Sequence, residues 1–450
     1  MTNVKDNTPL VLGTEKIGKL LMQYAIPAII AMTASSLYNM VDSIFIGHGV
    51  GPLAIAGLAI TFPLMNLAAA FGSLVGVGAS TLVAIKLGQK DKESAIHILG
   101  NVVMLNGIIG LVFMTLALMF LDPILLFFGA SADTLPYARE YMQVILGGNL
   151  VTHIYMGLNE VLRASGYPRK AMTATLMAVI VNCVLDALFI FGFGWGIRGA
   201  ALATIAAQVI ALGWVLYHFL DKRSFLHFER GIFGLKRHLV GGMLAIGLSP
   251  FLMNLCACFV VILINRSLKM HGGDLAIGAY GIVNRVVFLF LMIVMGFNQG
   301  MQPIAGYNFG ARQFDRLVQV LKYTIFCGVT VTTIGFLVGQ LFPRSIVYLF
   351  STDAELVRVA VEGFRIVLMF FPVVGFKMVT SSFFQSIGMA KKAIFLSLTR
   401  QLLFLIPSLL VLPHYFGTQG VWMSMPVADA IATVVAAFML SWQLKQLKKF

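Results

Sequence analysis

Apolar residues in this chain run in long, almost unbroken blocks, not in the alternation of a half-buried strand or the narrow stripe of a soluble helix. Such blocks lie near 20–46, 53–83, 96–121, 135–161, 171–194 and 199–220. A second set lies near 240–265, 275–300, 317–341, 356–385, 393–413 and 419–443. Each is long enough to cross a hydrocarbon layer of ~30 Å as a helix. Because hydrocarbon offers the backbone no hydrogen-bond partners, an open run of this kind spans only as a helix. The pattern therefore predicts an all-α membrane protein of twelve transmembrane helices. The longest polar connection, 221–239, carries five basic residues and two acidic ones, Asp221 and Glu229, and reads as a linker.

The two sets of blocks are copies. Leu53-Ala-Ile-Ala-Gly57 returns as Leu275-Ala-Ile-Gly-Ala279, Leu87-Gly88 as Phe309-Gly310, and Gly166 as Gly388, each 222 residues on. Pro27 returns as Pro250 and Asp42 as Asn265 at 223, and Gly196-x-x-Gly199 as Gly417-x-x-Gly420 at 221. With an even number of spans per copy, both copies enter the membrane in one orientation, giving a parallel repeat of two six-helix bundles. The expected organisation is an N-terminal lobe at 1–220, a cytoplasmic linker at 221–239 and a C-terminal lobe at 240–450. Duplicated bundles of this kind suit transporters with a central site between them, and the alternative is the mere packing of two similar bundles, as also occurs in channels.

Composition agrees with the pattern: 59% of the 450 residues are hydrophobic and 11% charged, against about a quarter charged in soluble domains. A formal net charge of +14 would suggest nucleic acid, but its distribution argues otherwise. The basic clusters (Lys5, Lys16 and Lys19; Lys86, Lys90 and Lys92; Arg163, Arg169 and Lys170; Lys222 to Arg237; Arg312, Arg316 and Lys322; Lys391 and Lys392; Lys445, Lys448 and Lys449) flank the spans on one side only. By the positive-inside rule this places the chain in the cytoplasmic (inner) membrane as a multi-pass protein, with both termini cytoplasmic. No stretch reads as a cleavable leader. Cys183, Cys256, Cys258 and Cys327 stand in apolar segments without metal-ligand spacing and read as packing residues.

Candidate chemistry follows from what is expensive in this setting. Asp42 and Asp186 lie inside apolar spans, where a carboxylate costs ~2.5 kcal/mol or more and usually marks an ion or proton route. Asn182 and Asp186 share one helix face at i, i+4. With Asp42 and Thr204 they could offer oxygen ligands to a hard cation such as Na⁺. Alternatively the pair could carry a proton, since two carboxylates side by side cannot both stay charged; or each is only a hydrogen-bonding link between helices. Pro27 removes a helical hydrogen bond fifteen residues before Asp42 and reads as a bending point. Gly72-x-x-x-Gly76 and Gly296-x-x-x-Gly300 read as close helix contacts. Twenty-four methionines and 12% aromatic residues suit a deformable cavity, though most such residues pack against lipid or helices. No phosphate-cradling loop, zinc-protease motif or nucleophile elbow is found, so no enzyme is expected.

The segments Pro27, Tyr38-Asn-Met-Val-Asp42-Ser43, Leu162-Arg-Ala-Ser-Gly166 and Asn182-x-x-x-Asp186-x-x-Phe189-x-Phe-Gly192 resemble the multidrug and toxic compound extrusion (MATE) family, in its bacterial multidrug efflux branch. The resemblance runs over nearly the whole chain. It implies V-shaped lobes and an antiporter that exports organic, often cationic or amphiphilic, drugs and toxins in exchange for H⁺ or Na⁺ by alternating access. It also implies a cation or proton-coupling site at Asp42, Asn182, Asp186 and Thr204, a hinge at Pro27, and a substrate cavity lined by Tyr38 and Gln208. The coupling ion, Na⁺ or H⁺, takes the place of a cofactor. The expected partners are small-molecule substrates and membrane lipids rather than nucleic acid, and the chain is expected to act as a monomer.

The second half departs from some family members. Asn254 and Asn265 are the polar residues of its seventh span, and Glu362, Arg365 and Lys377 those of its tenth, so a second-lobe Na⁺ site is not expected. Arg285, Arg365, Lys377 and Arg400 face Glu362 and Asp429 as the available acids, and the expectation is pairing or snorkelling. If they faced a cavity instead, a flippase for a lipid-linked sugar or other anionic lipid intermediate would be the alternative.

Overall fold

A computed structural model of the chain describes residues 8–447; Lys5, Lys448 and Lys449 of the terminal basic clusters lie outside them. The helices are α1 (Thr8–Thr14), α2 (Ile17–Gly49), α3 (Pro52–Gly88), α4 (Lys92–Met119), α5 (Leu121–Phe127), α6 (Leu135–Gly147), α7 (Asn149–Ala164), α8 (Pro168–Asp186) and α9 (Gly196–Leu220). They continue as α10 (Arg237–Gly310), α11 (Phe314–Leu341), α12 (Pro343–Tyr348), α13 (Ala354–Val367), α14 (Phe371–Ser386), α15 (Ala390–Leu398) and α16 (Ile406–Leu447). Two π-helical turns, Ala187–Gly192 after α8 and Thr399–Leu405 before α16, complete the set.

All twelve apolar segments fall on helix, and the fold is an all-α membrane fold. By length and hydropathy alone, eight helices of the described residues are able to cross a membrane, or nine if α13 and α14, bent by 55°, form one span. That measure does not reproduce twelve, and the physical reason is visible. At 1.5 Å per residue the 74-residue α10 would extend ~110 Å, over three times the hydrocarbon layer; it breaks at Gly273 (φ 66°, ψ −164°). Helix α16 breaks likewise at Gly417 (φ 57°, ψ −134°). Helices α6 and α7, of 13 and 16 residues, are each too short to span alone.

The duplication reappears in the backbone. Eight of the eleven left-handed residues among those described fall in pairs on the register read from the sequence: Gly51 with Gly273, Lys90 with Arg312, Gly166 with Gly388, and Gly196 with Gly417. Lys90 and Arg312 each close a long helix, at a position where glycine is the usual choice, and both are cationic at the negative end of the helix dipole.

The chain divides into two compact units, Met1–Glu15 with Ile30–Phe251, and Lys16–Ile29 with Leu252–Phe450. The sequence split at 220–240 differs from this division in two segments. Residues 16–29, the start of α2, belong with the second unit, and the start of α10 through Phe251 belongs with the first. Within the first unit Leu58, Leu64, Tyr141, Leu146 and Ile197 form the core; within the second, Val260, Tyr280, Phe364, Phe371 and Trp422 do. Residues 221–236 are a loop rather than a helix, held to the first unit by Lys236 N–H donating to Asn101 Oδ1 (3.2 Å) and Phe228 N–H to Phe219 O (2.8 Å).

Close approach of backbones sets the packing, since lipid supplies no hydrophobic drive between helices. A Cβ on Gly296 would lie 3.1 Å from Ile29 N, and one on Gly300 2.7 Å from Ala25 N, so the expected close contact at this pair is present. A Cβ on Gly76 would likewise lie 3.3 Å from Gly157 Cα. Tighter still, α3 and the start of α10 interlock: a Cβ on Gly247 would sit 1.6 Å from Leu74 O, and one on Gly78 1.9 Å from Met243 O. Because the obstruction is backbone, Gly247→Ala is expected to destabilise the protein by ~1–3 kcal/mol. Thermal melting of the purified variant checks this, and an unchanged midpoint would contradict the interlock.

Candidate functional site

The first unit gathers polar side chains from α2, α8 and α9. Tyr38 and Asp42 lie one turn apart on α2, Asn182 and Asp186 one turn apart at the end of α8, and Thr204 on α9. Burial is nearly complete for the three that could carry or bind charge, with Asp42 6%, Asn182 4% and Asp186 0% exposed. Asp186 is the last residue of α8, and the wider π-helical turn begins at the next position. Such turns often stand at functional positions because they free a carbonyl or redirect a side chain.

The carboxyl groups of Asp42 and Asp186 meet at hydrogen-bonding range. Around them the Asn182 amide satisfies most groups with its oxygen toward the hydroxyls. Oδ1 then accepts from Thr204 Oγ1 at 3.2 Å and from Tyr38 Oη, while Nδ2 donates to Asp186 Oδ2 and Oδ1 at 3.2 and 3.3 Å. Tyr38 Oη and Thr204 Oγ1 are themselves 3.1 Å apart. Buried Asp42 Oδ1 has no hydrogen-bond donor among the described residues. All four residues expected to form a coupling site are therefore neighbours in one cluster, and Tyr38, expected to line a cavity, has its hydroxyl in the same network.

Gln208 stands one turn beyond Thr204 on α9 and accepts a hydrogen bond from Thr152 Oγ1 of α7. Pro27 lies in the portion of α2 assigned to the second unit, two residues before the division at Ile29 and Ile30; α2 remains helical through it. Sequence reasoning missed Tyr141 of α6, which is fully buried and lies within electrostatic reach of both aspartates. It stands in Tyr137-Ala-Arg-Glu-Tyr141 beside two charged residues, so only the period that carries Tyr141 inward and Arg139 and Glu140 outward would have marked it.

In the second unit the expected pairing holds for two of four cations. Lys377 Nζ donates to Asp429 Oδ1 at 3.0 Å and Arg400 Nη2 to Asp429 Oδ2 at 3.2 Å, with Arg400 Nε on Oδ1. Arg285 and Arg365 are exposed and have no ion-pair partner among the described residues. Glu362, a potential partner for Arg365, accepts from Gln419 Nε2 instead.

A duplicated helical membrane fold with a compact, ionisable cluster inside one bundle defines a transporter architecture. The MatE family model matches residues 27–188 and again 246–410, once per repeat, and the chain belongs to this family. Multidrug export protein MepA of Staphylococcus haemolyticus (strain JCSC1435) is 27% identical over 437 residues, covering 97% of this chain and 96% of that protein. A solved structure of a MATE protein in the bent conformation superimposes with a TM-score of 0.93 at 26% identity, covering 98% of each chain. An outward-facing multidrug resistance MATE transporter of the MOP superfamily gives 0.92 at 26% identity and 99% of each chain.

The cluster's geometry generates a stability test. Thr204→Val keeps the side-chain shape but removes the hydroxyl that joins Tyr38 to Asn182, and is expected to cost ~1 kcal/mol. A lowered melting midpoint of the variant in detergent checks this; a raised one would mean that the hydroxyl is not integral to the network.

Proposed function

We propose that the protein is a multidrug efflux antiporter of the cell membrane, exporting organic, mainly cationic or amphiphilic, compounds in exchange for H⁺ or Na⁺. The observation that carries the reading is the buried contact of Asp42 with Asp186 beneath Asn182, Thr204 and Tyr38. Two ionised carboxylates at membrane depth would cost ~5–7 kcal/mol on insertion scales. The neighbouring neutral hydrogen bonds return ~1 kcal/mol each, so the cluster is balanced only when it also holds a cation. A proton shared between the carboxyls supplies one solution. A Na⁺ bound by the two carboxylates, Asn182 Oδ1 and the Thr204 and Tyr38 oxygens supplies the other, an all-oxygen set of the kind hard cations take.

Coupling follows from differential affinity. A cation that fills the cluster favours the arrangement in which α2, α8 and α9 converge; a substrate that binds better to the open arrangement favours release of the cation. Reciprocity of binding free energies makes each ligand expel the other. Pro27 acts as the hinge in this scheme, because α2 there lacks one main-chain hydrogen bond and changes unit two residues later. Export of many compounds is supported by the near-full-length relatives named multidrug export proteins. The one-sided basic clusters support cytoplasmic termini.

Asp42→Asn and Asp186→Asn are each expected to abolish active efflux while the protein still reaches the membrane, measured as dye accumulation in expressing cells with a membrane immunoblot. Full transport by both variants would end the coupling role. Proteoliposomes under separately imposed Na⁺ and H⁺ gradients identify the ion, since only the true counter-gradient should drive uphill export.

A further inference from the structure

The second unit contains a buried charged cluster that this mechanism does not use. Lys377 of α14, Arg400 of the π-helical turn Thr399–Leu405 and Asp429 of α16 form it, with side-chain exposures of 12%, 26% and 9%. Two cations share one carboxylate. Among the described residues, the only other titratable group in electrostatic contact with any of the three is Tyr280, which faces Arg400. The cluster therefore carries one positive charge more than it carries negative. Its donors are also in excess: after their bonds to Asp429, Lys377 keeps two N–H groups and Arg400 three without a hydrogen-bond partner among the described residues. Asp429 pairs with both cations at once, yet its single negative charge neutralises only one of them.

Position strengthens the case. The repeat register places Met425 opposite Thr204 and Phe404 opposite Asn182. Asp429 lies one turn beyond the former and Arg400 one turn before the latter. Successive spans run in opposite directions, so both displacements point the same way along the membrane normal. The cationic cluster thus takes two of its three members from the counterparts of the spans that carry Asn182 and Thr204, and the third, Lys377, from the counterpart of α7 rather than of α2. The corresponding first-unit positions, Tyr155, Ala178 and Gln208, carry no charge.

We infer that Lys377 and Arg400 form an oxyanion-recognition site, apart from the aspartate cluster, that takes the carboxylate of a zwitterionic amphiphile. The carboxylate supplies the missing negative charge. Arg400 Nη1 and the free Lys377 donors bind its two oxygens, an arrangement that guanidinium and ammonium groups make with short, charge-assisted bonds. Asp429 is the positioning residue, holding both cations toward one another. This inference rests on the export reading and names the residues that hold an acidic group of the substrate.

The test uses tetramethylrhodamine, a zwitterion with a free carboxylate, and its methyl ester, a cation with the same ring system. Binding to the purified full-length protein in nanodiscs, without any ion gradient, is followed by fluorescence anisotropy. The unsubstituted protein should prefer the acid, and millimolar benzoate should displace the acid but not the ester. Lys377→Gln leaves a neutral Arg400–Asp429 pair and should lower the acid-to-ester affinity ratio about tenfold, the loss of one charge-assisted contact. Arg400→Lys keeps the charge without the fork and should also lower the ratio. An unchanged ratio in Lys377→Gln, or benzoate without effect on the acid in the unsubstituted protein, would overturn the inference. Benzoate competition needs no variant, so it decides even if a substituted chain misfolds. Because no gradient is applied, the site can fail this test while ion-coupled export stands.

Discussion

Hydrocarbon supplies no hydrogen-bond partner and almost no solvation for charge, and nearly every feature of this molecule answers that one constraint. Main-chain groups can be satisfied only within helices, so the spans are helical, interrupted by glycine breaks, π-helical turns and the 55° bend between α13 and α14. Helices in lipid must associate by close packing and polar contacts, which is why Gly78 and Gly247 admit backbone oxygens at distances no side chain allows. Buried charges must find compensation inside the protein, and Asp42 with Asp186, and Lys377 and Arg400 with Asp429, are gathered in two clusters.

The two repeats solve the charge problem in opposite ways. The first unit brings two carboxylates together with neutral oxygens, an arrangement short of positive charge. The second brings two cations to one carboxylate, an arrangement short of negative charge. Neither has a counterpart in the other copy: Asn265 stands opposite Asp42 and Ser408 opposite Asp186, while Tyr155 and Ala178 stand opposite Lys377 and Arg400. Backbone geometry was retained through the duplication, down to the left-handed pairs Lys90 with Arg312 and Gly166 with Gly388. Side-chain chemistry diverged on that common frame, so each unit presents a different electrostatic demand.

Much of this is legible in the order of the residues. Long apolar runs identify spans because a helix crossing lipid must be apolar along its whole length. The i, i+4 spacing of Asn182 and Asp186 and of Tyr38 and Asp42 places each pair on one helix face, a local consequence of 3.6 residues per turn. The recurrence of motifs near 222 residues establishes the duplication from sequence alone. Tyr141 escapes such reasoning because its burial depends on which face of α6 meets α9, and a tyrosine flanked by Arg139 and Glu140 looks like a surface residue. The four second-half cations cannot be sorted either: Lys377 and Arg400 reach Asp429, whereas Arg285 and Arg365 stay exposed, and no spacing rule separates the two sets.

Membrane setting, helical class, repeat and the residue types of the first cluster are all fixed at the level of amino-acid order, since each follows from hydropathy or local helical geometry. Folding in three dimensions settles the rest: that α2 and α10 each divide between the two units, that Asp42 meets Asp186 across helices, and that Asp429 serves two cations at once. Those outcomes depend on distances between segments remote along the chain, set by the packing of whole helices, and local periodicity carries no record of them.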